Sequence, residues 1–187
     1  MSTASVPGRK ILFVCLGNIC RSPIAEGIFA HLVRERGLAD RYLADSAGTG
    51  GWHVGEPPDR RAIAVSAKRG VSLPSVCRQV AGTDFQEFDL ILAMDRNNRK
   101  DLEDLCPAPL RRKIKLMREF DRDLGAAHAG SGAARAGSDL DVPDPYYGGP
   151  YEFDTVYEML NRCCSGLLDT LETRETGLRA HGDAAAP

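Results

Sequence analysis

Cys15 and Arg21 frame the stretch of sequence that is best equipped for chemistry. Five residues separate them in the pattern Cys-x5-Arg-Ser, and an apolar run over residues 11–14 leads into it. A helical pattern begins at Pro23, directly after the loop. A strand, a glycine-containing turn and a helix start direct backbone N–H groups and the positive end of a helix dipole into one small volume. The pattern therefore predicts a site for a phosphate-like anion.

The cysteine of this stretch has a chemical use. Its sulfur would lie below the anion, where a thiolate can attack phosphorus in line with the departing oxygen. Such surroundings favour ionisation of the thiol. Arg21 offers a planar fork of donors that matches phosphate oxygens. The Cys-x5-Arg spacing alone could equally belong to a buried structural cysteine beside a surface arginine. The presence of Gly17, Asn18 and Ser22 between strand and helix argues against that interpretation.

The composition is that of an ordinary globular protein. The chain has 187 residues, of which 43% are hydrophobic and 27% charged, enough for one compact domain with a buried core. A formal net charge of -2 supplies no general attraction for nucleic acid, and no apolar run approaches the length needed for membrane insertion. Six cysteines outside any secreted-scaffold pattern, together with an N-terminus that lacks a signal-peptide pattern, favour a cytoplasmic location.

Apolar runs and helical patterns alternate along the chain. Ser22 is predicted to cap the first helix, and Asp95 the third. This alternation predicts an α/β protein, a three-layer sandwich with a mostly parallel sheet. We expect one domain over 1–187 with its core at about 10–171. Strands are predicted over 10–15, 41–47, 90–94 and 114–117, and helices over 23–36, 57–69, 96–105 and from 153 onward.

Several segments resemble those of one known family. Residues 12–23, Leu-Phe-Val-Cys-Leu-Gly-Asn-Ile-Cys-Arg-Ser-Pro, resemble the phosphate loop of low-molecular-weight protein tyrosine phosphatases. Residues 144–147, Asp-Pro-Tyr-Tyr, resemble the general-acid loop of that family. The resemblance covers roughly Lys10 to Leu171 and implies a four-stranded parallel sheet flanked by helices, with neither a metal nor another cofactor. Further matching segments follow in the same order, over 45–49, 52–55 and 94–98.

The resemblance assigns roles to individual residues. It implies that Cys15 is the nucleophile that becomes phosphorylated and that Arg21 binds the phosphoryl group and the transition state. It implies that Asp144 protonates the leaving phenolate and then, as a carboxylate, activates water. Ser22 is expected to donate its hydroxyl to the Cys15 sulfur. The implied phosphate-binding residues are Leu16, Gly17, Asn18, Ile19, Cys20, Arg21 and Ser22.

Other residues receive supporting roles from the same resemblance. Asn18 should hold the loop backbone through side-chain hydrogen bonds that reach Ser46. Trp52, Tyr146 and Tyr147 resemble the walls of an aryl pocket, although a surface aromatic and simple loop packing are the plainer interpretations. The two tyrosines are also candidates for phosphorylation. The histidines lack metal-ligand spacing and are not expected to bind a metal.

Cys20 lies inside the loop and has two interpretations. It could be a small packed thiol. The resemblance favours a redox role, in which Cys20 forms a reversible disulfide with Cys15 and protects the nucleophile from overoxidation.

The leading hypothesis is a metal-independent phosphotyrosine-protein phosphatase that acts on phosphotyrosine-containing proteins as a monomer or weak dimer. Arsenate reduction would need two further cysteines close together, and Cys77 and Cys106 are far apart in sequence. Protein-arginine phosphatases carry Thr where this chain has Ile19. A non-catalytic phosphate-binding module would be expected to have lost Cys15 or Asp144.

The chain departs from the family pattern in a segment rich in Gly, Ala and Ser at about 125–138. We expect this segment to be a flexible insertion. It lengthens the tether on Asp144, which would make the acid loop more mobile or add a surface for a partner. Residues beyond about 173 are expected to form a loose tail.

Overall fold

A four-stranded parallel sheet forms the centre of the protein. The computed structural model describes residues 8–124 and 140–182 of the chain. The strand order is β2-β1-β3-β4. The strands are β1 (Arg9–Cys15), β2 (Tyr42–Gly48), β3 (Leu90–Ala93) and β4 (Ile114–Leu116).

Helices connect and cover these strands. Two short 3-10 helices flank β4, at Ala108–Lys113 and Met117–Phe120. Among the described residues, none of the helices combines the length and the hydrophobicity that a membrane crossing needs. The helices are α1 (Arg21–Glu35), α2 (Arg60–Ala67), α3 (Asp84–Glu87), α4 (Arg96–Leu105) and α5 (Pro150–Gly182).

Strand β1 is buried on both faces, as its continuous apolar sequence predicts. Ile11 and Phe13 pack into a core that α1, α2 and α5 cover. Leu12 and Val14 point to the opposite face and pack with residues of α3 and α4. The predicted three-layer α/β sandwich with a four-stranded parallel sheet is therefore confirmed.

The first helix begins earlier than the sequence predicts. It starts at Arg21, with Cys20 in the capping position and no side chain that caps it. Ser22 is fully buried and its hydroxyl bonds to the Cys15 sulfur, so the predicted capping role of Ser22 is wrong. Because the Ser22 side chain bonds to Cys15, it does not cap the helix, and the amides at the helix start are left free for another acceptor.

The second and last helices also differ from prediction in length. Helix α2 spans Arg60–Ala67 rather than 57–69, and the side chain of Asp59 caps it. Helix α5 begins at Pro150 and continues to Gly182, so the backbone stays helical beyond 173, where a loose tail was expected. The residues there include Glu, Arg, Leu and Ala, which favour helix.

The predicted insertion at 125–138 lies outside the described residues, but the residues on either side of it are held in place. Asp121, which is 2% exposed, accepts hydrogen bonds from Arg118 and Arg162. After the insertion, Asp141 accepts from Arg96, and the amide of Val142 donates to a β3 neighbour, the Met94 carbonyl, at 2.8 Å. These anchors separate the insertion from Asp144.

Shortening residues 126–138 should therefore leave the anion site undisturbed. We expect removal of half of the segment to change the affinity for inorganic phosphate by less than about twofold, because loop length has only a small entropic effect. Isothermal titration calorimetry of the parent and the shortened chain measures this affinity. A large loss of affinity would show that the insertion itself supports the site.

Candidate active site

A cavity of about 260 Å³ opens at the carboxyl ends of the strands. This edge is where ligands bind in parallel α/β sheets. The cavity brings together the catalytic and pocket residues expected from the sequence, although they come from three separate regions of the chain. Its lining consists of Cys15, Leu16, Gly17, Ile19, Cys20, Arg21, Trp52, His53, Asp144, Tyr146 and Tyr147.

Two of the expected phosphate-binding residues do not line this cavity. Asn18 is 1% exposed and Ser22 is fully buried. Both lie behind the loop, where their side chains bond to other protein groups. Their side chains therefore support the loop, and only their backbone can face an anion.

The loop backbone leaves its donors available. Across the described part of the chain, no group accepts a hydrogen bond from the amides of residues 16–22. The loop carbonyls are used, since those of Cys15 and Leu16 accept from the amides of Thr49 and Gly50 at 2.9 and 2.8 Å. A run of unbonded N–H groups at a helix start is the arrangement that binds phosphate-like anions.

Asn18 sets the curvature of the loop. It has a φ of 57°, in the left-handed region that residues other than glycine rarely adopt. Its side-chain Nδ2 donates to Ser22 Oγ at 3.0 Å and to Ser46 Oγ at 2.9 Å, so the expected contact with Ser46 is present. Its Oδ1 accepts from the Arg78 amide at 2.8 Å, and its carbonyl accepts from Cys77 Sγ at 2.9 Å. These contacts hold the strained conformation in place.

The hydroxyl of Ser22 is directed toward the cysteine. Ser22 Oγ lies 3.0 Å from Cys15 Sγ. Because this oxygen accepts from Asn18, its own proton is free to point at the sulfur or at the more distant Ala47 carbonyl, 3.3 Å away. A hydroxyl proton aimed at the sulfur stabilises a thiolate.

The same network continues from Asn18 through Ser46 to the half-buried carboxyl group of Glu26. Ser46 Oγ donates to Glu26 Oε2 at 2.6 Å. Burial raises the pKa of Glu26 above its usual value. The hydrogen bonds therefore diverge from the Asn18 amide group, toward Cys15 through Ser22 and toward Glu26 through Ser46.

Arg21 is held between acidic groups. Its side chain is 3% exposed. Nη1 donates to Asp95 Oδ2 at 2.6 Å and to the Val142 carbonyl at 3.0 Å, and Nη2 donates to Asp144 Oδ2 at 2.8 Å. Burial alone would lower the pKa of the guanidinium, but its electrostatic interactions with Cys15, Asp144 and Asp95 outweigh burial and raise that pKa. Arg21 therefore stays a cation beside the sulfur.

Asp144 lines the same cavity as the phosphate loop. Its side chain is 43% exposed, so one side of the carboxyl group can meet solvent or a ligand. Oδ2 accepts from Arg21, and Oδ1 accepts from the Tyr146 amide at 3.1 Å. An anion in the loop would compete with this carboxylate for Arg21.

Cys20 lines the cavity as a free thiol. Burial, with a contribution from the negative charge of Asp59, raises its pKa far above the usual value. Cys20 therefore remains protonated at neutral pH. The redox role expected for Cys20 stays a prediction.

Several functional residues escaped the sequence analysis. Asp95 was expected only as a helix cap; it accepts from the Asn98 amide, and its second oxygen binds Arg21. His53 lines the cavity with its Nδ1 paired to Glu56 at 2.7 Å. Asp95 follows a strand that neighbours β1, so its place at the site could have been predicted from the sequence. The sequence carries no signal for the hydrogen bond from Cys77 to the Asn18 carbonyl.

The fold and the cavity define a class: a parallel α/β protein with a cysteine and a loop of unbonded amides at the carboxyl ends of its strands, which suits a phosphate-like anion. Among the described residues, no cluster of three or more His, Cys, Asp or Glu side chains could hold a metal ion. The chain matches the family model described as low molecular weight phosphotyrosine protein phosphatase over residues 10–176. The protein therefore belongs to the low molecular weight phosphotyrosine protein phosphatase family.

Individual relatives show the extent of the similarity. The chain is 41% identical over 172 residues to the low molecular weight protein-tyrosine-phosphatase of Streptomyces coelicolor, covering 91% of this chain and 98% of that relative. A protein tyrosine phosphatase structure from Entamoeba histolytica has a TM-score of 0.78 at 38% identity, covering 90% of this chain and 99% of that one. The structure of an arginine phosphatase from Drosophila has a TM-score of 0.73 at 32% identity, covering 87% and 97% of the two chains.

The contact between Cys77 and Asn18 can be tested with paired substitutions. Cys77→Ala leaves the buried Asn18 carbonyl without its donor, whereas Cys77→Ser keeps a hydroxyl donor. We expect the Ala variant to bind inorganic phosphate about tenfold more weakly and the Ser variant to stay within about threefold, because an unpaired buried acceptor costs about 1–3 kcal/mol. Isothermal titration calorimetry gives both affinities.

Cys106→Ala provides the matched control, since Cys106 is a buried free thiol in the core on the other face of the sheet. Equal phosphate affinity for the Ala variants at positions 77 and 106 would contradict a role for Cys77 in shaping the loop.

Proposed function

We propose that the protein hydrolyses phosphotyrosine in proteins, and other aryl phosphates, through a cysteinyl-phosphate intermediate. One observation carries the proposal: Cys15, Arg21 and Asp144 line a single cavity with aromatic walls, beside a loop whose amides at residues 16–22 have no acceptor in the described chain. Such a cavity can bind the phosphoryl group, attack it and protonate the leaving group.

In the first step, the Cys15 thiolate attacks phosphorus. A phosphorus–sulfur bond forms while the bond between phosphorus and the phenolic oxygen breaks. The loop amides and Arg21 stabilise the charge on the equatorial oxygens. The carboxyl group of Asp144 gives its proton to the departing oxygen, so that a neutral phenol leaves. Ser22, which bonds to the sulfur, keeps the nucleophile ionised before the attack.

In the second step, water attacks the phosphocysteine. The Asp144 carboxylate left by the first step takes a proton from this water. A new phosphorus–oxygen bond forms, the phosphorus–sulfur bond breaks, and the electron pair returns to sulfur as a thiolate. The hydrogen bond from Ser22 stabilises sulfur as a leaving group. Release of inorganic phosphate restores the starting site.

The walls of the cavity favour an aryl substrate. Tyr146 and Tyr147 contact each other edge to face with ring centroids 5.0 Å apart. Tyr147 is 96% exposed and Trp52 is 71% exposed, so both rings are available at the cavity rim. Aromatic walls of this kind gain free energy by packing on a phenyl ring.

Ile19 bears on the choice between phosphotyrosine and phosphoarginine. The Drosophila structure named as an arginine phosphatase shares the fold, so hydrolysis of phosphoarginine is the second candidate function. Here the apolar Ile19 side chain lines the cavity. An apolar wall gives a guanidinium no hydrogen-bond partner and leaves it desolvated, so we favour the aryl phosphate.

The arrangement of thiols argues against arsenate reduction. Cys106 belongs to the core on the face of the sheet opposite the one that includes Cys15 and Cys20. Cys77 is buried and bonded to the phosphate loop. A relay of disulfides needs two further thiols that can approach each other, and these two lie in separate environments. A purely binding role would not require Asp144 opposite the sulfur.

The partners and location follow from the same proposal. We propose a phosphotyrosine-containing protein as the substrate, and a monomer or weak dimer as the active form. The free state of all six cysteines suits a reducing compartment, and we propose the cytoplasm. Neither nucleic acid nor a metal takes part in the reaction as proposed.

The role of Asp144 predicts a dependence on the leaving group. Replacing Asp144 by Asn removes the proton donor, so kcat/KM should fall by about 100-fold for phenyl phosphate, which needs a protonated leaving group, and much less for p-nitrophenyl phosphate. The pH profile of the parent should be bell-shaped, and the descending limb should be absent from the variant. Equal losses for the two substrates would count against Asp144 as the acid.

Thiol reactivity should single out Cys15. Burial raises the pKa of Cys77 to about 11 and that of Cys163 to about 12, so near neutral pH these groups stay protonated and react slowly. We expect iodoacetate to modify one cysteine of the folded protein, identified as Cys15 by peptide mass spectrometry. Inorganic phosphate should slow the modification, and Cys15→Ser should prevent it. Faster labelling at another cysteine would contradict the assignment.

A further inference from the structure

Arg61, near the start of α2, connects two loops of the active site. Its Nε and Nη2 donate to the two oxygens of Asp59 at 3.0 and 2.8 Å. The amide of Asp59 donates to the Ile19 carbonyl of the phosphate loop at 2.8 Å. One side of the Arg61 guanidinium is therefore fixed relative to the loop that binds the anion.

The other side of the guanidinium holds the acid loop. Arg61 Nη1 donates to the carbonyls of Tyr146 and Gly148, both at 3.0 Å. Its guanidinium carbon also lies 4.6 Å from the ring centroid of Phe153, which is 1% exposed, and 5.6 Å from that of Tyr146. Arg61 thus ties the turn that follows Asp144 to α2 by hydrogen bonds, and its guanidinium is itself stacked on α5 through Phe153.

Tyr146 connects Arg61 to Asp144, the proposed general acid. Its carbonyl accepts from Arg61, and its amide donates to Asp144 Oδ1. A single residue therefore separates Arg61 from the carboxyl group that transfers the proton. Arg21 of the phosphate loop binds the other oxygen of that carboxyl group, Oδ2.

We propose that Arg61 is a positioning residue that holds the Asp144 carboxyl group at a fixed place relative to the phosphate loop. The inference rests on the proposed function, because it assumes that Asp144 is the proton donor. Arg61 does not line the cavity, and it acts only through the loop that carries the acid.

An arginine is required for this connection. Its planar fork meets both oxygens of Asp59 and still directs Nη1 at two carbonyls, whereas a lysine offers donors on one nitrogen only. Hydrogen bonds to Asp59 raise the pKa of Arg61, and those from Arg61 hold the pKa of Asp59 below its usual value. Both partners therefore remain charged.

A second arginine on the same surface provides a matched control. Arg69 stacks on Tyr157 of α5 at 4.5 Å and pairs with Asp154 and Glu158. It resembles Arg61 in joining the α2 region to α5, but it contacts neither loop of the site. Arg69→Ala therefore measures the effect of losing a stacked arginine without any loss of contacts to the loops of the site.

The test compares Arg61→Ala, Arg61→Lys and Arg69→Ala on two substrates. We expect Arg61→Ala to lower kcat/KM about 30-fold for phenyl phosphate and less than threefold for p-nitrophenyl phosphate, since only the former depends strongly on the acid. Inhibition by inorganic phosphate should change less than about twofold, because the phosphate loop keeps its own contacts. Arg69→Ala should match the parent in both respects.

Combination with Asp144→Asn separates positioning from general stability. If Arg61 acts through Asp144, adding Arg61→Ala to Asp144→Asn should cause little further loss on phenyl phosphate. Equal losses on the two substrates, or additive losses in the double variant, would overturn the proposal. If the Ala variant is unstable, Arg61→Lys provides the same test, because it keeps the positive charge beside Asp59. We expect Arg61→Lys to cause an intermediate loss of kcat/KM, and only with phenyl phosphate.

The outcomes also distinguish the two proposals. If Asp144→Asn alone fails to discriminate between the leaving groups, the assignment of the acid is wrong. If Asp144→Asn discriminates and neither Arg61 variant does, the acid assignment stands and the role of Arg61 is wrong.

Discussion

The site depends on Asn18, which turns the backbone through the left-handed region at a φ of 57°. In the loop that this turn shapes, the amides of residues 16–22 have no acceptor in the described chain, and Cys15 lines the adjoining cavity. The conformation is strained, and it persists because the side chain and carbonyl of Asn18 are bonded to surrounding groups from the second strand and from Cys77 and Arg78. Contacts within the protein therefore set the shape of this loop, as the proposed binding of an anion requires.

A second constraint is the balance of charge around Arg21. This buried cation is shared by Asp95, Asp144 and the cysteine. Asp95 orients the guanidinium from behind and also caps α4, so the position of the cation is tied to the fold. Asp144 is more exposed and is bound through the turn that Arg61 supports. Of the two carboxylate partners of Arg21, Asp95 is the less exposed and Asp144 the more exposed.

The sequence predicted what local pattern can encode. Strand β1, the loop after it and the helix that follows were expected because apolar runs and the Cys-x5-Arg spacing are local signals. Ser22 was misassigned as a cap because capping preference is a local rule, and here a buried tertiary contact with Cys15 overrides it. The bond between Arg21 and Asp95 joins residues 74 apart in sequence, and the Arg61 contacts likewise depend on how α2 and α5 pack. Such contacts follow only from the assembled fold.

The central claim is that phosphate passes through the sulfur of Cys15, and trapping the intermediate tests it most directly. A rapid acid quench of the protein reacting with an aryl phosphate, followed by peptide mass spectrometry, should find a phosphoryl group on the peptide that contains Cys15. Release of phenol in the first turnover should match the amount of enzyme. Phosphate found on another residue, or turnover without any phosphoryl-enzyme, would contradict the account.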